Sequence, residues 1–389
     1  MKYMGHKGKL LPILGEILIA EAARAKKIAD PFCGSGVVSW YLAENTEKSV
    51  ISGDLQAFAA IRAGAVTERV KSIEPGELVE KWFARAQKML DEIKRSYPEV
   101  KSFDFPAMVK AKDIRSFVFE TRRLSHEIAT LCRKSMGSQL VATGAYGGHY
   151  FSLEQALQLD ALRGTISDDS DTKKLCIAAL VGAASKCAAS PGHTAQPFQP
   201  TATAKKYIVE AWGRSIWEFV RRGVNDIAPR YSKSKGISLQ KDYLQCIDLL
   251  SAGDLVFADP PYSAVHYSRF YHVLETLTAG RAVEVSGVGR YPPRGQRPIS
   301  AFSRKSESFL AAKALVDICA KKELGLVLTF PSSRASNGLS ASDFVDFAKK
   351  RFSSIETVEI NSVFSTLGGG VGKRSGKINC TESVIVFRQ

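Results

Sequence analysis

The feature that most restricts what this chain can fold into is the run KKIADPFCGSG, ending at residue 36. A short β-prone stretch breaks there into a glycine-bearing turn and enters a helical stretch through Ser39–Asn45, after which the strand-like SVISGD ends in Asp54. Strand, glycine turn, helix and acid-terminated strand together open a parallel α/β sheet, whose ligands of nucleotide type bind at the carboxyl edge of the strands. Gly34 and Gly36 let the backbone approach such a ligand closely, and the start of the helix offers unpaired N–H groups. The turn lacks the GxGxxG spacing, and glycines at a strand-to-helix turn also serve close packing. Asp54 is placed to accept hydrogen bonds from two ribose hydroxyls or, alternatively, to cap the next helix.

A helix over about residues 8–26 precedes this unit. From about residue 66 the texture becomes charged amphipathic helix, with Leu78, Trp82, Phe83, Ala86, Met89 and Leu90 near one face. SLEQALQLDALRGTI, with Ser152 as N-cap, and TKKLCIAALVGAASKCAA carry helical spacing. YIVEAWGRSIWEFVRRGV is expected as one helix whose stripe of Ile208, Trp212, Ile216, Trp217 and Val220 packs in a core. Between them, SPGHTAQPFQPTATAKK must be loop. Strand texture returns at GDLVFADPP, LGLVLTFPS, SSIETVEI and ESVIVFR, alternating with helices such as SESFLAAKALVDICAKK. The expected fold is therefore an α/β, Rossmann-like sheet begun at the N-terminus and finished after a mainly helical insertion, with residues 1–65 and 240–389 forming one domain and 66–239 the other.

The sharpest chemical signal is DPPY at residues 259–262. It ends an apolar strand, so Asp259 projects at the carboxyl edge of the sheet, and two prolines stiffen the turn. An aromatic amine is a poor nucleophile because its lone pair is delocalised into the ring. If Asp259 and the carbonyl of Pro260 accept its two hydrogens, the nitrogen can turn tetrahedral and aim that lone pair at a methyl sulfonium. Tyr262 would stack on a base flipped out of a duplex.

DPFCGSG, SGDLQ, GDLVFADPPY and the N-terminal KYMGHK resemble the motifs of adenine-specific DNA methyltransferases of the Dam-like, alpha arrangement, in which the target-recognition region lies between the glycine motif and DPPY. The motif order here matches, and SAVHYSRFYHVLETL, TFPSSRASN and TESVIVFR occupy similar later positions. The resemblance implies S-adenosylmethionine as cofactor and a pocket completed by Tyr3 and Lys7, with Asp30, Phe32, Gly34 and Gly36 at the glycine turn. It implies Asp54 as the acid after the second strand, Asp259 as the catalytic aspartate, and Asp242 beside the cofactor adenine. Residues 66–239 become the target-recognition domain.

With 54 Lys and Arg against 39 Asp and Glu, the formal charge of +15 favours a polyanionic partner, here double-stranded DNA. A Gly/Pro-rich loop carries Arg290, Arg294, Arg297, Arg304 and Lys305 toward phosphates or into plain solvent. His193, Thr194 and Gln196 in the other long loop are candidates to read bases. Seven cysteines form no CxxC pair, are odd in number and lie far apart, which argues against a zinc cluster and a disulfide framework and fits a reducing cytoplasm. None follows a proline, so the nucleophilic Pro-Cys turn of carbon methylation is missing and no metal is expected. Neither a signal peptide nor an apolar run of membrane length is present. Cytosine N4 offers a similar amine, but enzymes acting there commonly carry Ser where Asp259 stands. RNA or a protein glutamine as substrate, and a silent DNA-binding protein, are the remaining rivals. A cognate restriction endonuclease encoded nearby is the expected protein counterpart.

Overall fold

The computed structural model describes residue 3 and residues 7–103, 108–109, 113–136, 139–365 and 377–389. Met4, Gly5 and His6 of the KYMGHK motif lie outside the described residues. Along the chain the helices are α1 (Leu11–Ala22), α2 (Val37–Asn45), α3 (Ala57–Thr67), α4 (Pro75–Ser96), α5 (Ile114–Met136), α6 (Val141–Tyr146) and α7 (Leu153–Gly164). They continue as α8 (Ser170–Cys187), α9 (Lys205–Trp212), α10 (Ile216–Ile227), α11 (Tyr243–Ile247), α12 (Ser268–Ala279), α13 (Ser308–Lys321) and α14 (Ala341–Ala348). The strands are β1 (Lys27–Asp30), β2 (Ser49–Asp54), β3 (Ile237–Gln240), β4 (Leu255–Ala258), β5 (Gly325–Pro331), β6 (Ser354–Ser365) and β7 (Lys377–Arg388).

The chain separates into two compact units. The sheet unit holds Tyr3–Ser72, Arg230–Ser268 and Pro298–Gln389, and the helical unit holds Ile73–Pro229 with Arg269–Arg297. These borders differ from a simple insertion of 66–239. Residues 230–239 stay with the sheet because Ser232 and Gly236 donate backbone N–H groups to Arg69 and Thr67, and β3 then pairs with β2. Residues 269–297 go to the helical unit because Arg163 donates from Nε and Nη2 to the last carbonyls of α12, at Leu277 and Thr278.

The seven strands lie in the order β3-β2-β1-β4-β5-β7-β6, parallel from β3 through β5, with β7 antiparallel to both its neighbours. The strand at the centre of the sheet, β4, is apolar and buried along its whole length, as a strand covered on both faces must be. Alternate side chains feed opposite cores: Ala29, Val256 and Leu328 pack with Phe330, Phe344 and Leu315, whereas Ile28, Phe257 and Val327 pack with Leu14, Leu18 and Leu42. The order of the parallel strands reverses between β1 and β4, with β2 and β3 laid down on one side and β4 and β5 on the other, so a crevice opens at their carboxyl ends.

In the helical unit α4 buries Trp82, Ala86 and Leu90 of the expected face together with Val79 and Ile93, while Leu78, Phe83 and Met89 are half-buried, and Trp82 Nε1 donates to the Leu162 carbonyl at 2.9 Å. Ser152 caps α7, with Gln155 completing the capping box. The stretch read as one helix over 207–224 breaks at Gly213–Ser215, where Ser215 accepts from the Glu218 N–H and starts α10. Its stripe nevertheless packs as expected: Ile208, Trp212, Ile216 and Val220 are buried, and the half-buried Trp217 ring sits 4.8 Å from that of Phe83. No helix among the described residues is long and apolar enough to cross a membrane.

Candidate active site

At the carboxyl ends of β1, β2 and β4 the sheet unit holds a cleft lined by Asp30, Asp54 and Asp259. The glycine turn forms its floor. The Cys33 N–H reaches the Gly53 carbonyl at 2.9 Å and the Gly36 N–H returns to Cys33 at 2.7 Å, which forces Gly34 and Gly36 to φ of 46° and 76°. Gly34 must also lack a side chain because a Cβ there would stand 2.5 Å from the Tyr3 hydroxyl. Gly36 is not on the cleft wall; its close neighbour is the backbone of Ala63 in α3, so its smallness serves helix packing. Asp54 fills both roles open to it. Its Oδ2 accepts the Gly34 N–H at 3.0 Å and its Oδ1 the Gln56 N–H at 2.8 Å, tying the turn to the start of α3, while it also faces the cleft. Burial raises its pKa to about 6 in spite of those N–H groups.

Asp30 is 1% exposed at the end of β1, and burial lifts it to about 7 although Ser39 Oγ donates to its Oδ2 at 2.6 Å. Its Oδ1, together with Gln56 Oε1 and Ser303 Oγ, is buried without a hydrogen-bond partner, and all three residues line the cleft. Phe32 stacks on Tyr243 at 5.4 Å and meets Phe302 edge-on, giving the cleft an aromatic wall. Asp242 lines the cleft too, but its carboxylate accepts the Leu244 N–H and caps α11.

Opposite lies the DPPY turn. Lys7, 5% exposed, pairs with Asp259 Oδ1 at 3.0 Å and with Glu382 on β7, and Thr329 Oγ1 donates to the same Asp259 Oδ1 at 2.9 Å. Asp259 Oδ2 has no partner among the described residues. Burial pushes the Asp259 pKa upward and Glu382 adds to that, while Lys7 pulls it back. Burial would lower the Lys7 ammonium, but Asp259 and Glu382 together outweigh it and hold the lysine charged. The Tyr262 ring is half-buried, edge-on to Phe330 at 6.2 Å, with the Lys7 ammonium 5.8 Å from its centroid. Asn337, fully buried, donates from its side-chain nitrogen to the carbonyls of Pro261 and Phe302, at 3.1 Å each, and so fixes both the DPPY turn and the aromatic wall.

Thus Tyr3, Lys7, Asp30, Phe32, Gly34, Asp54, Asp242, Asp259, Pro260 and Tyr262 come together in one cleft. Glu382, Thr329 and Asn337 escaped the sequence reading. They sit within TESVIVFR, LGLVLTFPS and TFPSSRASN, segments whose positions were legible but whose individual polar residues gave no sign of what they hold. The basic candidates do not form one group. Arg290, Arg294 and Arg297 belong to the helical unit, where half-buried Arg290 donates from Nε to the Ala145 carbonyl at 2.9 Å. Arg304 and Lys305 are exposed in the sheet unit, and Arg304 pairs with Glu307 at 2.6 Å. Thr194 is buried and uses both N–H and hydroxyl on the Phe270 carbonyl, His193 packs its ring 4.5 Å from that of Phe270, and Gln196 is exposed.

Residues 3–155 match the family described as D12 class N6 adenine-specific DNA methyltransferase. Over 321 residues, 79% of this chain, the sequence is 22% identical to the modification methylase LlaI of Lactococcus lactis subsp. lactis. The chain spans 43% of the length of that curated relative.

Proposed function

We propose that this chain, which carries over residues 3–155 the match to the D12 class of N6 adenine-specific DNA methyltransferases, methylates the exocyclic amine of adenine in double-stranded DNA with S-adenosylmethionine as cofactor. The observation that carries the reading is Asp259. Lys7 and Thr329 occupy its Oδ1 and anchor the carboxylate, leaving Oδ2 to the cleft. An amine hydrogen bonded to Oδ2, with the other on the Pro260 carbonyl, brings the nitrogen lone pair out of conjugation and toward the electrophile.

The cleft suits the cofactor. Three buried polar atoms without hydrogen-bond partners among the described residues, on Asp30, Gln56 and Ser303, would suit a polar ligand, and an aromatic wall stands beside them. Asp54, Tyr3 and Lys7 line the same cleft, and Asp54 would take the ribose hydroxyls. When bound, the cofactor supplies the electrophilic methyl group. Asp259 Oδ2, its basicity raised by burial, then takes up the proton that the methylated amine gives away. Tyr262 stacks on the flipped-out adenine, and the helical unit selects the DNA sequence. Arg304 and Lys305 meet phosphates near the sheet unit's own loop. A cytoplasmic protein working beside a cognate restriction endonuclease fits this reading.

The test is nucleoside mass spectrometry of duplex DNA incubated with the protein and isotopically labelled S-adenosylmethionine. Label in N6-methyladenine supports the proposal; label in N4-methylcytosine, or only in RNA or protein, overturns it.

A further inference from the structure

Within the helical unit one cluster of cations has no counter-charge among the described residues. Tyr291 stands at its centre. The Arg269 guanidinium carbon lies 5.4 Å from the centroid of that ring and the Arg297 carbon 5.3 Å, and Arg269 Nη2 reaches the Tyr291 hydroxyl at 3.4 Å. Arg294, three residues from Arg297, is exposed and close enough for the two charges to repel. None of these three arginines forms an ion pair with a described residue, and Arg297 Nε is buried without a hydrogen-bond partner. Other arginines of the same unit are satisfied at once: Arg123 pairs with Glu120 and Glu127, and Arg222 with Glu218.

The cluster is also held rigidly. Tyr291 closes a backbone bridge with Ser286, and its hydroxyl donates to the Ala195 carbonyl at 2.5 Å. His272 lies 4.8 Å from the Tyr291 ring and contacts the Gly289 carbonyl through Nε2 at 2.8 Å, and the Tyr150 hydroxyl bonds the same carbonyl. Like charges fixed together without an acid cost free energy unless an anion joins them. Guanidinium forks on an aromatic face match phosphate oxygens in geometry.

We propose that Arg269, Arg294 and Arg297, gathered around Tyr291, bind successive phosphodiester groups of a DNA strand. The proposal rests on the DNA reading above and names which of the basic residues carry it: Arg269, absent from the sequence candidates, joins, and Arg290, spent on the Ala145 carbonyl, leaves.

The experiment is equilibrium binding of the full chain to a labelled duplex oligonucleotide across about 50 to 200 mM salt, with methyl transfer measured in parallel. The triple variant R269Q/R294Q/R297Q should flatten the slope of log affinity against log salt by about 0.9 for each lost contact, up to about 2.7. The charge-matched control R123Q/R222Q/R351Q, whose arginines already have carboxylate partners, should leave the slope within one contact of wild type. The triple lysine variant keeps the charges and should keep most of the slope. An unchanged slope in the glutamine variant overturns the proposal, as does equal flattening in the control or in the lysine variant. Competition by inorganic phosphate with an unchanged duplex slope would make the cluster a small-anion site and overturn it as well. Duplex binding with the expected slopes but no methyl transfer leaves this inference standing and removes the proposed reaction; transfer with unchanged slopes does the reverse.

Discussion

Each unit of the molecule buries an aspartate whose pKa burial raises to about 7, and the two differ in what surrounds them. In the helical unit Asp160 accepts the Ala142 N–H on Oδ1 at 2.7 Å and the Thr143 N–H on Oδ2 at 2.8 Å, so both oxygens serve the first turn of α6. In the sheet unit Asp30 gives one oxygen to Ser39 and leaves the other buried and unpartnered at the cleft wall. Equal burial therefore marks two different things. A buried charge with complete protein partners is a structural brace, while one with an oxygen to spare, at the carboxyl edge of a parallel sheet, is held ready for a ligand.

The largest separation between the two should come from truncation. Asp160→Ala strands two buried backbone N–H groups at about 1–3 kcal/mol each, so urea unfolding should lose roughly 2–6 kcal/mol. Asp30→Ala strands the Ser39 hydroxyl and should cost roughly 1–3 kcal/mol while weakening S-adenosylmethionine binding, which Asp160→Ala spares in the folded fraction. A larger stability loss for Asp30→Ala would break the distinction.

Aromatic residues sharpen it next. Tyr262 is half-buried at the cleft, so Tyr262→Ala should lose roughly 1–3 kcal/mol of base stacking, about ten- to a hundredfold in transfer to a duplex, with Phe and Trp retaining most activity. An adenine opposite a mismatch or an abasic site should partly rescue the alanine variant. Equal impairment of Phe and Ala would point to the hydroxyl instead of the ring.

The last contrast is a pH slope. The folded-state pKa of Asp30, about 7, lies above the unfolded value near ~3.9, so the folded protein binds the extra proton between them. That contribution to stability is complete below about pH 4 and is lost as pH rises through about 7. Against wild type, Asp30→Asn should therefore gain relative unfolding free energy on going from acid to neutral pH, by at most roughly 1.4 kcal/mol per pH unit, and level off above. A relative gain in the opposite direction contradicts the raised pKa.

How much of this could be read beforehand follows the same division. The strands around the cleft were legible because apolar runs that end in DPF, SGD or ADPP leave little choice of structure, and the glycine turn and DPPY reached the cleft together. The helix break at Gly213–Ser215 was not, because apolar spacing continues across it while only the Ser215 cap marks the interruption. The transfer of residues 269–297 to the helical unit was invisible too, since it depends on Arg163 and Tyr150 bonding carbonyls more than a hundred residues away. At the site, Glu382 and Asn337 look in sequence like ordinary polar residues in a strand and a turn. Their meaning lies in what they hold, Lys7 in one case and the Pro261 carbonyl in the other.

The central claim is that Asp259 presents a free carboxylate oxygen to an aromatic amine. Asp259→Ala leaves Lys7 paired with Glu382, so the fold should survive, and the variant should still bind S-adenosylmethionine. Single-turnover transfer to a duplex at saturating cofactor is the direct measurement: the account predicts a loss of roughly two to three orders of magnitude or more, as when one preorganised group is removed from a transition state. A folded, cofactor-binding Asp259→Ala protein that transfers methyl groups at nearly the wild-type rate would contradict it.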